Sequence, residues 1–217
     1  MSIQQKGELQ LLREIKERFD PIRRGFDNNI IVGIGDDSAV FKLSRENIVV
    51  TTDLMAEGIH FDLSYTSAFH LGFKLVSVNV SDIYAMGGTP DYIFLNVALK
   101  RDTPEKFFWD LFAGIDAANS FYGMILLGGD ISEVLRDLMV SATVIGSAKK
   151  IIRRNGAKVG DKIFITNTTG DSACGMEILK RLSIEDKDHI RNYRFGLLDK
   201  EESFNKKDLV LDLPDKR

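Results

Sequence analysis

Four aspartates, Asp37, Asp53, Asp82 and Asp130, are the residues whose surroundings suit them best to chemistry. Val49-Val50-Thr51-Thr52 is β-branched and reads as a buried strand that presents Asp53 at its end, with two threonine hydroxyls beside the carboxylate. Carboxylate, hydroxyl and carbonyl oxygens are the hard donors that Mg²⁺ prefers. The same order, apolar strand and then acid, recurs where Ile30 to Val32 runs into Gly33-Ile34-Gly35-Asp36-Asp37. It recurs again where Met124 to Leu127 runs into Gly128-Gly129-Asp130. Adjacent acids repel unless solvent or a cation stands between them. The bland alternative for each is a turn or a helix N-cap.

The fourth acid is placed differently. Leu71, Leu75, Val78, Asp82 and Met86 recur at helical spacing between Ser67 and Met86, which puts one carboxylate on an apolar stripe. A buried unpaired charge costs several kcal/mol, so Asp82 is expected to have a cation, an arginine or a set of donors as its partner, or else to cap neighbouring backbone. A cluster of such acids holds divalent cations, and cations held this way grip phosphates. Other phosphate cradles are missing: there is no Gly-x4-Gly-Lys-Ser/Thr loop, no Gly-x-Gly-x-x-Gly before a helix and no kinase His-Arg-Asp loop. His60, His70 and His189 fit no Ser-His-Asp or Cys-His arrangement, so no catalytic nucleophile or base is assigned.

The elements that must position these acids follow from pattern. An amphipathic helix spans Gly7 to Phe19 and ends at Pro21, and Val40 to Leu43 with Ile48 to Thr52 reads as a hairpin leading to Asp53. The Ser67 helix stops at Gly87-Gly88 and Pro90. A strand from Tyr92 to Leu99 follows, then a helix from Thr103 to Tyr122 with Pro104 in its first turn and Phe108, Phe112 and Ile115 on its core face. Met124 to Leu127 and Leu138 to Gly146 are further strands, which gives an α+β sandwich. A basic connection from Lys149 to Lys158 leads to an expected strand, Asp161 to Asn167, and to a helix opened by Gly170-Asp171 and running to Leu182. Apolar material after residue 150 is too sparse to close a second core. The expected division is therefore 1–148, an amino-terminal domain, and 149–217, an incomplete second α+β domain.

Composition narrows the classes. The chain has 217 residues and a net charge of −3 with no extended basic block, which argues against nucleic acid as a partner. No apolar run approaches membrane-spanning length and Met1 to Arg13 has no signal-peptide core, so a cytoplasmic protein is expected. Cys174 is the only cysteine, which excludes an internal disulfide and a multi-cysteine zinc site and suggests packing within a helix.

Gly33-Ile34-Gly35-Asp36-Asp37-Ser38-Ala39, Thr51-Thr52-Asp53, Glu57-Gly58-Ile59-His60-Phe61, Asn79-Val80-Ser81-Asp82, Gly128-Gly129-Asp130 and Arg154-Asn155-Gly156-Ala157 resemble the thiamine-monophosphate kinase family. That family lies in the superfamily of aminoimidazole ribonucleotide synthetase and selenophosphate synthetase. The resemblance runs in order from residue 7 to about 182. It implies ATP-dependent transfer of a phosphoryl group onto thiamine monophosphate, giving thiamine diphosphate, in a homodimer whose amino-terminal sheets close into a barrel. It further implies Mg²⁺ ligands at Asp37, Thr51, Thr52, Asp53, Asp82 and Asp130, and a substrate contact at His60. Nucleotide contacts are implied at Gly129, Asp130 and Arg154, with Phe112 beside the nucleotide. The family's later Ser-Asp-Gly and Gly-Gly-Glu-Asp elements do not occur in this sequence, so the expectation is weak Mg²⁺-nucleotide binding and little or no turnover. The rival expectations are another ATP-dependent, ring-closing synthetase of the superfamily, and a non-catalytic nucleotide- or metal-binding dimerisation module. The Glu-Gly-x-His-Phe stretch favours the kinase.

Overall fold

The computed structural model describes residues 3–25, 28–34, 39–42, 47–165 and 168–192. Asp37, Leu43, Asn167 and everything after Asn192 lie outside the described residues. The chain opens with α1 (Ile3–Lys6), α2 (Glu8–Phe19) and α3 (Pro21–Arg24). Pro21 ends α2 as expected and also begins α3, where the Asp20 carboxylate accepts the Ile22 N–H at 3.1 Å. β1 (Ile30–Val32) and β2 (Val40–Phe41) then pair antiparallel with each other. The hairpin expected between β2 and β3 (Ile48–Ala56) does not form. β3 instead finds a nine-residue antiparallel ladder on the last strand of the domain, far more pairing than a two-residue strand offers.

After β3 come α4 (Ala68–Ala85), β4 (Thr89–Lys100), α5 (Glu105–Tyr122), β5 (Ile125–Val134) and β6 (Met139–Ser147). The sheet order is β3-β6-β4-β5; β6 runs antiparallel to both of its neighbours, and β4 and β5 are parallel around the α5 crossover. One face is covered by the helices. Leu71, Leu75, Val80 and Ile83 of α4 share a core with Ile93 and Val97 of β4, Val140 and Val144 of β6, and Phe108, Leu111 and Ile115 of α5. The helices approach closely enough to demand glycine. A Cβ on Gly72 would lie 2.2 Å from the Leu111 carbonyl oxygen, and one on Gly114 only 1.9 Å from that of Phe69.

A clasp fixes the amino terminus to α5. Lys6 bridges Glu14 and Glu105, the Trp109 indole donates to Glu105 at 3.0 Å, and the Arg18 guanidinium lies 3.8 Å from the centre of the Trp109 ring. Hydrogen bonds from Lys6 hold both carboxyls below the usual carboxylate range.

The opposite sheet face is covered at one end only. There Ile30, Tyr92 and Leu127 form a small cluster with Phe41, Phe94, Ile125 and Ile145. Elsewhere on that face Val50 and Leu54 are 59% and 58% exposed.

Beyond β6, the Ile152 N–H donates to the Met86 carbonyl at 3.0 Å and so holds the basic segment to the end of α4. The strand expected at 161–167 is not seen over 161–165: no described strand offers a ladder, and Ile163 and Phe164 are exposed. α6 (Asp171–Arg181) follows as expected, then α7 (Ile184–Asn192). Cys174 lies in α6 but is exposed, so the expected packing role does not hold. No described helix is long and apolar enough to cross a membrane.

Candidate active site

Side chains alternate along a strand, and this sorts the expected ligands of β3. Asp53 and Thr51 pair in register with the buried Ala142 and Val144 of β6, so they share the helix-facing side. Thr51 Oγ1 donates to Asp82 Oδ2 at 3.1 Å, which ties mid-strand β3 to the end of α4. Asp53 is therefore not at a strand end, since β3 continues to Ala56. Asp82 is exposed instead of buried on the apolar stripe. The buried stripe of α4 runs through Leu71, Gly72, Leu75, Val76, Asn79, Val80 and Ile83, and at 100° per residue Asp82 sits roughly 70° from its centre. Neither Asp53 nor Asp82 has an ion-pair partner among the described residues. Two carboxylates and a hydroxyl with no competing cation make an oxygen-only donor set, which fits Mg²⁺.

The rest of the expected cluster does not assemble among the described residues, where no group of three or more His, Cys, Asp or Glu is placed to hold a metal. Thr52 points to the other face, where its hydroxyl donates to the Ala142 carbonyl at 3.0 Å and accepts from Thr143 at 3.2 Å. Asp130 is also on that face, in register with Asn96 and, through it, Ser141 and Leu54. It belongs to the edge strand opposite β3, three strand spacings or roughly 14 Å away. Like Asp53, it lies inside its strand. Gly129 is where β5 presses on β4, since a Cβ there would lie 1.7 Å from the Leu95 carbonyl oxygen. Phe112 is 3% exposed and packs on Phe108 and Phe19, with ring centres 4.7 and 5.6 Å apart, so it has no face left for a nucleotide base. Arg154 is exposed in the segment that Ile152 anchors to Met86, one helical turn beyond Asp82.

His60 sits at the end of β3. Gly58, at φ +79°, lets the chain turn so that the His60 N–H returns to the Ala56 carbonyl at 2.9 Å. The Ala56 N–H donates to His60 Nδ1 at 3.0 Å, which leaves the ring proton on Nε2, facing outward as a donor. Glu57 pins the turn from behind: its Oε2 accepts the Leu138 N–H at 3.0 Å and pairs with Lys100 at 3.3 Å. Lys74 closes it from α4 by donating to the His60 carbonyl at 2.8 Å, and burial pulls its ammonium below the ordinary lysine value.

His60 and Lys74 border a cleft of about 960 Å³ walled by Phe61, Tyr65, Phe69 and Phe73, with Met176 and Leu179 of α6 on the far side. Sequence reasoning missed this cleft and its residues. The available signal was Phe69 and Phe73 one helical turn apart, beside Lys74 and directly after the Gly58 turn. Asn79 was missed as well: it is fully buried, its amide donates to the Leu75 carbonyl at 2.9 Å, and its side-chain oxygen has no partner among the described residues.

Residues 35–148 match the family model of the AIR synthase related protein, N-terminal domain, over more than half of the chain. The chain belongs to the AIR synthase related family. Within it, the chain is 32% identical over 179 residues to the thiamine-monophosphate kinase of Aquifex aeolicus, covering 82% of this chain and 55% of that one. It is 37% identical over 173 residues to the enzyme of that name from Buchnera aphidicola subsp. Acyrthosiphon pisum, covering 77% and 51%. Among solved structures, it is similar to thiamine-monophosphate kinase from Stenotrophomonas maltophilia K279a, with a TM-score of 0.69 and 29% identity over 82% of this chain and 58% of that one. It is also similar to AaThiL complexed with AMPPCP and TMP, with a TM-score of 0.61 and 28% identity over 89% and 65%. The chain spans about half the length of the curated relatives it matches.

Proposed function

We propose that this chain carries the amino-terminal domain, residues 1–148, and part of a second domain, 149–217, of a cytoplasmic kinase that transfers the γ-phosphoryl group of ATP to the phosphate of thiamine monophosphate. The observation that carries the reading is the pairing along one strand: the oxygen set of Thr51, Asp53 and Asp82, and three residues beyond Asp53 the Ala56 N–H that orients His60. The relatives named thiamine-monophosphate kinase and the relative complexed with AMPPCP and TMP support it. In this reading Asp53, Asp82 and Thr51, joined by Asp37, hold Mg²⁺, while Arg154 faces the nucleotide phosphates and His60 Nε2–H the acceptor phosphate. Bound Mg²⁺ neutralises phosphate oxygens that would otherwise repel each other. The transfer itself asks the protein for positioning and charge stabilisation, not for a nucleophile.

Turnover is the test. With the purified chain in excess over thiamine monophosphate, and with ATP and Mg²⁺ present, thiamine diphosphate and ADP are expected in equal amounts. ADP formed only with a formylglycinamidine-type acceptor would point to the ring-closing chemistry of the superfamily and reject the kinase.

The open sheet face supports a homodimer. Val50 and Leu54 are exposed there, and a second copy of the sheet would cover them along with the edge of β3 that no described strand pairs. Asp130 stands on this face, so the dimer places it at the interface, away from Asp53 of its own chain. Sedimentation at tens of micromolar, roughly the range in which a stable interface is saturated, is expected to give the dimer mass, and a monomer there would contradict it.

A further inference from the structure

We infer that α6 and α7 form a hinged lid over the cleft beside His60, with Tyr65 as the catch that holds the lid against the amino-terminal domain. The device governs entry to the cleft and does not depend on what the cleft binds, so it stands or falls separately from the kinase reading.

The two helices are built to move as one body. Ser183 starts α7 with reciprocal bonds: its hydroxyl donates to Asp186 Oδ2 at 2.6 Å and accepts the Asp186 N–H at 3.1 Å. Lys187 Nζ then reaches back to the Lys180 carbonyl at 3.5 Å and ties α7 to the end of α6. The connection that carries them is fastened at its start. Beyond the bond from the Ile152 N–H to Met86, the hydrogen bonds of 153–165 among the described residues are local turns, Gly156 to Arg153 and Asp161 with Lys158. Ile163 and Phe164 are exposed, so packing does not hold that stretch either.

Contacts between the lid and the domain are few and gathered at one point. α6 buries none of its residues, and its Gly175, Met176 and Leu179 line the cleft opposite Phe69 and Phe73, with about 960 Å³ between the walls. A segment with so few buried contacts opens at low cost. Tyr65 is where the two sides meet. Its hydroxyl donates to Met176 Sδ of α6 at 3.6 Å, and Lys187 Nζ of α7 lies 5.9 Å from its ring centre. Asp62, three residues earlier, attracts the same ammonium: the Ser64 hydrogen bonds first and the Lys187 charge after them hold its carboxyl below the usual range. One ring and one carboxylate of the domain thus grip both helices. Each grip is exposed and individually weak, so the catch can release.

The chain's only tryptophan, Trp109 of α5, and its only cysteine, Cys174 of α6, supply the test. A dye on Cys174 that accepts energy from Trp109 reports the distance from lid to domain in an otherwise unaltered chain, and time-resolved emission separates its populations. Two distances are expected. Lys187→Met keeps the stem and removes the charge, and it should raise the ratio of long to short distance roughly twofold to fivefold, the weight of an exposed cation–π contact. Tyr65→Leu loses the grip on both helices and should raise the ratio further. Added salt should act in the same direction on wild type by screening Lys187 from Asp62, and should do little to Lys187→Met. An unchanged urea midpoint for the amino-terminal domain shows that the variants are folded. A single distance that neither variant nor salt alters would make α6 and α7 a fixed wall. Two distances whose ratio ignores both Tyr65→Leu and Lys187→Met would mean that Tyr65 is no catch. Either result overturns the inference.

Discussion

Gly114→Ala is expected to destabilise the domain by about 3 kcal/mol or more, the upper end of what overpacking costs. The new methyl would meet the Phe69 carbonyl oxygen at 1.9 Å and the Phe69 carbonyl carbon at 2.8 Å, and neither is the end of a flexible side chain. Relief requires α4 and α5 to move apart. That movement loosens contacts among Leu71, Leu75, Leu111 and Ile115, all of which are essentially fully buried. Gly72 faces the Leu111 carbonyl in the same way, so the two helices are locked at two points. A loss of this size is a large part of the stability of an ordinary domain. Phe69 and Phe73 ride on the same stretch of α4, so ligand binding in the cleft should fall together with stability. Urea unfolding checks this: a midpoint within error of wild type would mean that the helices part at little cost and that their close approach does not hold the cleft.

The long helices and their faces were legible because their signals are local and redundant. Ser67 caps α4 by accepting the His70 N–H at 3.1 Å, Gly87 at φ +74° ends it, and the apolar residues between them repeat at helical spacing. The strands were legible in existence but not in partner or length. Nothing local in Val40-Phe41 says that it pairs with Ile30 to Val32, since register is decided by ladders between distant segments. For the same reason Asp53 and Asp130 read in sequence as strand-end acids: a carboxylate after an apolar run reads as a boundary, yet both strands continue through it because neighbouring strands carry on pairing. Asp130 shows the limit most clearly. Its type and setting match those of Asp53, while the strand order puts it on the other edge and the other face. The cleft was invisible because it is built from three places in the chain, the turn after β3, the first half of α4 and α6, none of which carries a signal without the others.

The Thr51, Asp53 and Asp82 oxygens lead to the other large effect. Asp53→Asn and Asp82→Asn are each expected to weaken Mg²⁺-dependent nucleotide binding by at least about a hundredfold, since losing even a group that only supports a metal ligand costs ten- to a hundredfold. Both changes keep the size of the side chain, and in the Asp82→Asn variant the amide oxygen can still accept the Thr51 hydroxyl now bonded to Asp82 at 3.1 Å. The fold should therefore hold. Without metal the two variants should be as stable as wild type or slightly more so. Neither carboxylate is paired with a cation among the described residues, so neutralising one removes repulsion and breaks no ion pair. Opposite signs separate this from a structural role: a structural aspartate would lower stability in the metal-free protein and affect nucleotide binding only in proportion. The measurements are thermal unfolding without metal and calorimetric titration of a non-hydrolysable ATP analogue with and without Mg²⁺. In wild type the metal should strengthen binding steeply, and in both variants that gain should shrink or vanish. Equal nucleotide affinity in wild type and both variants at saturating Mg²⁺ would remove Asp53 and Asp82 from the metal site and leave their convergence with Thr51 as packing alone.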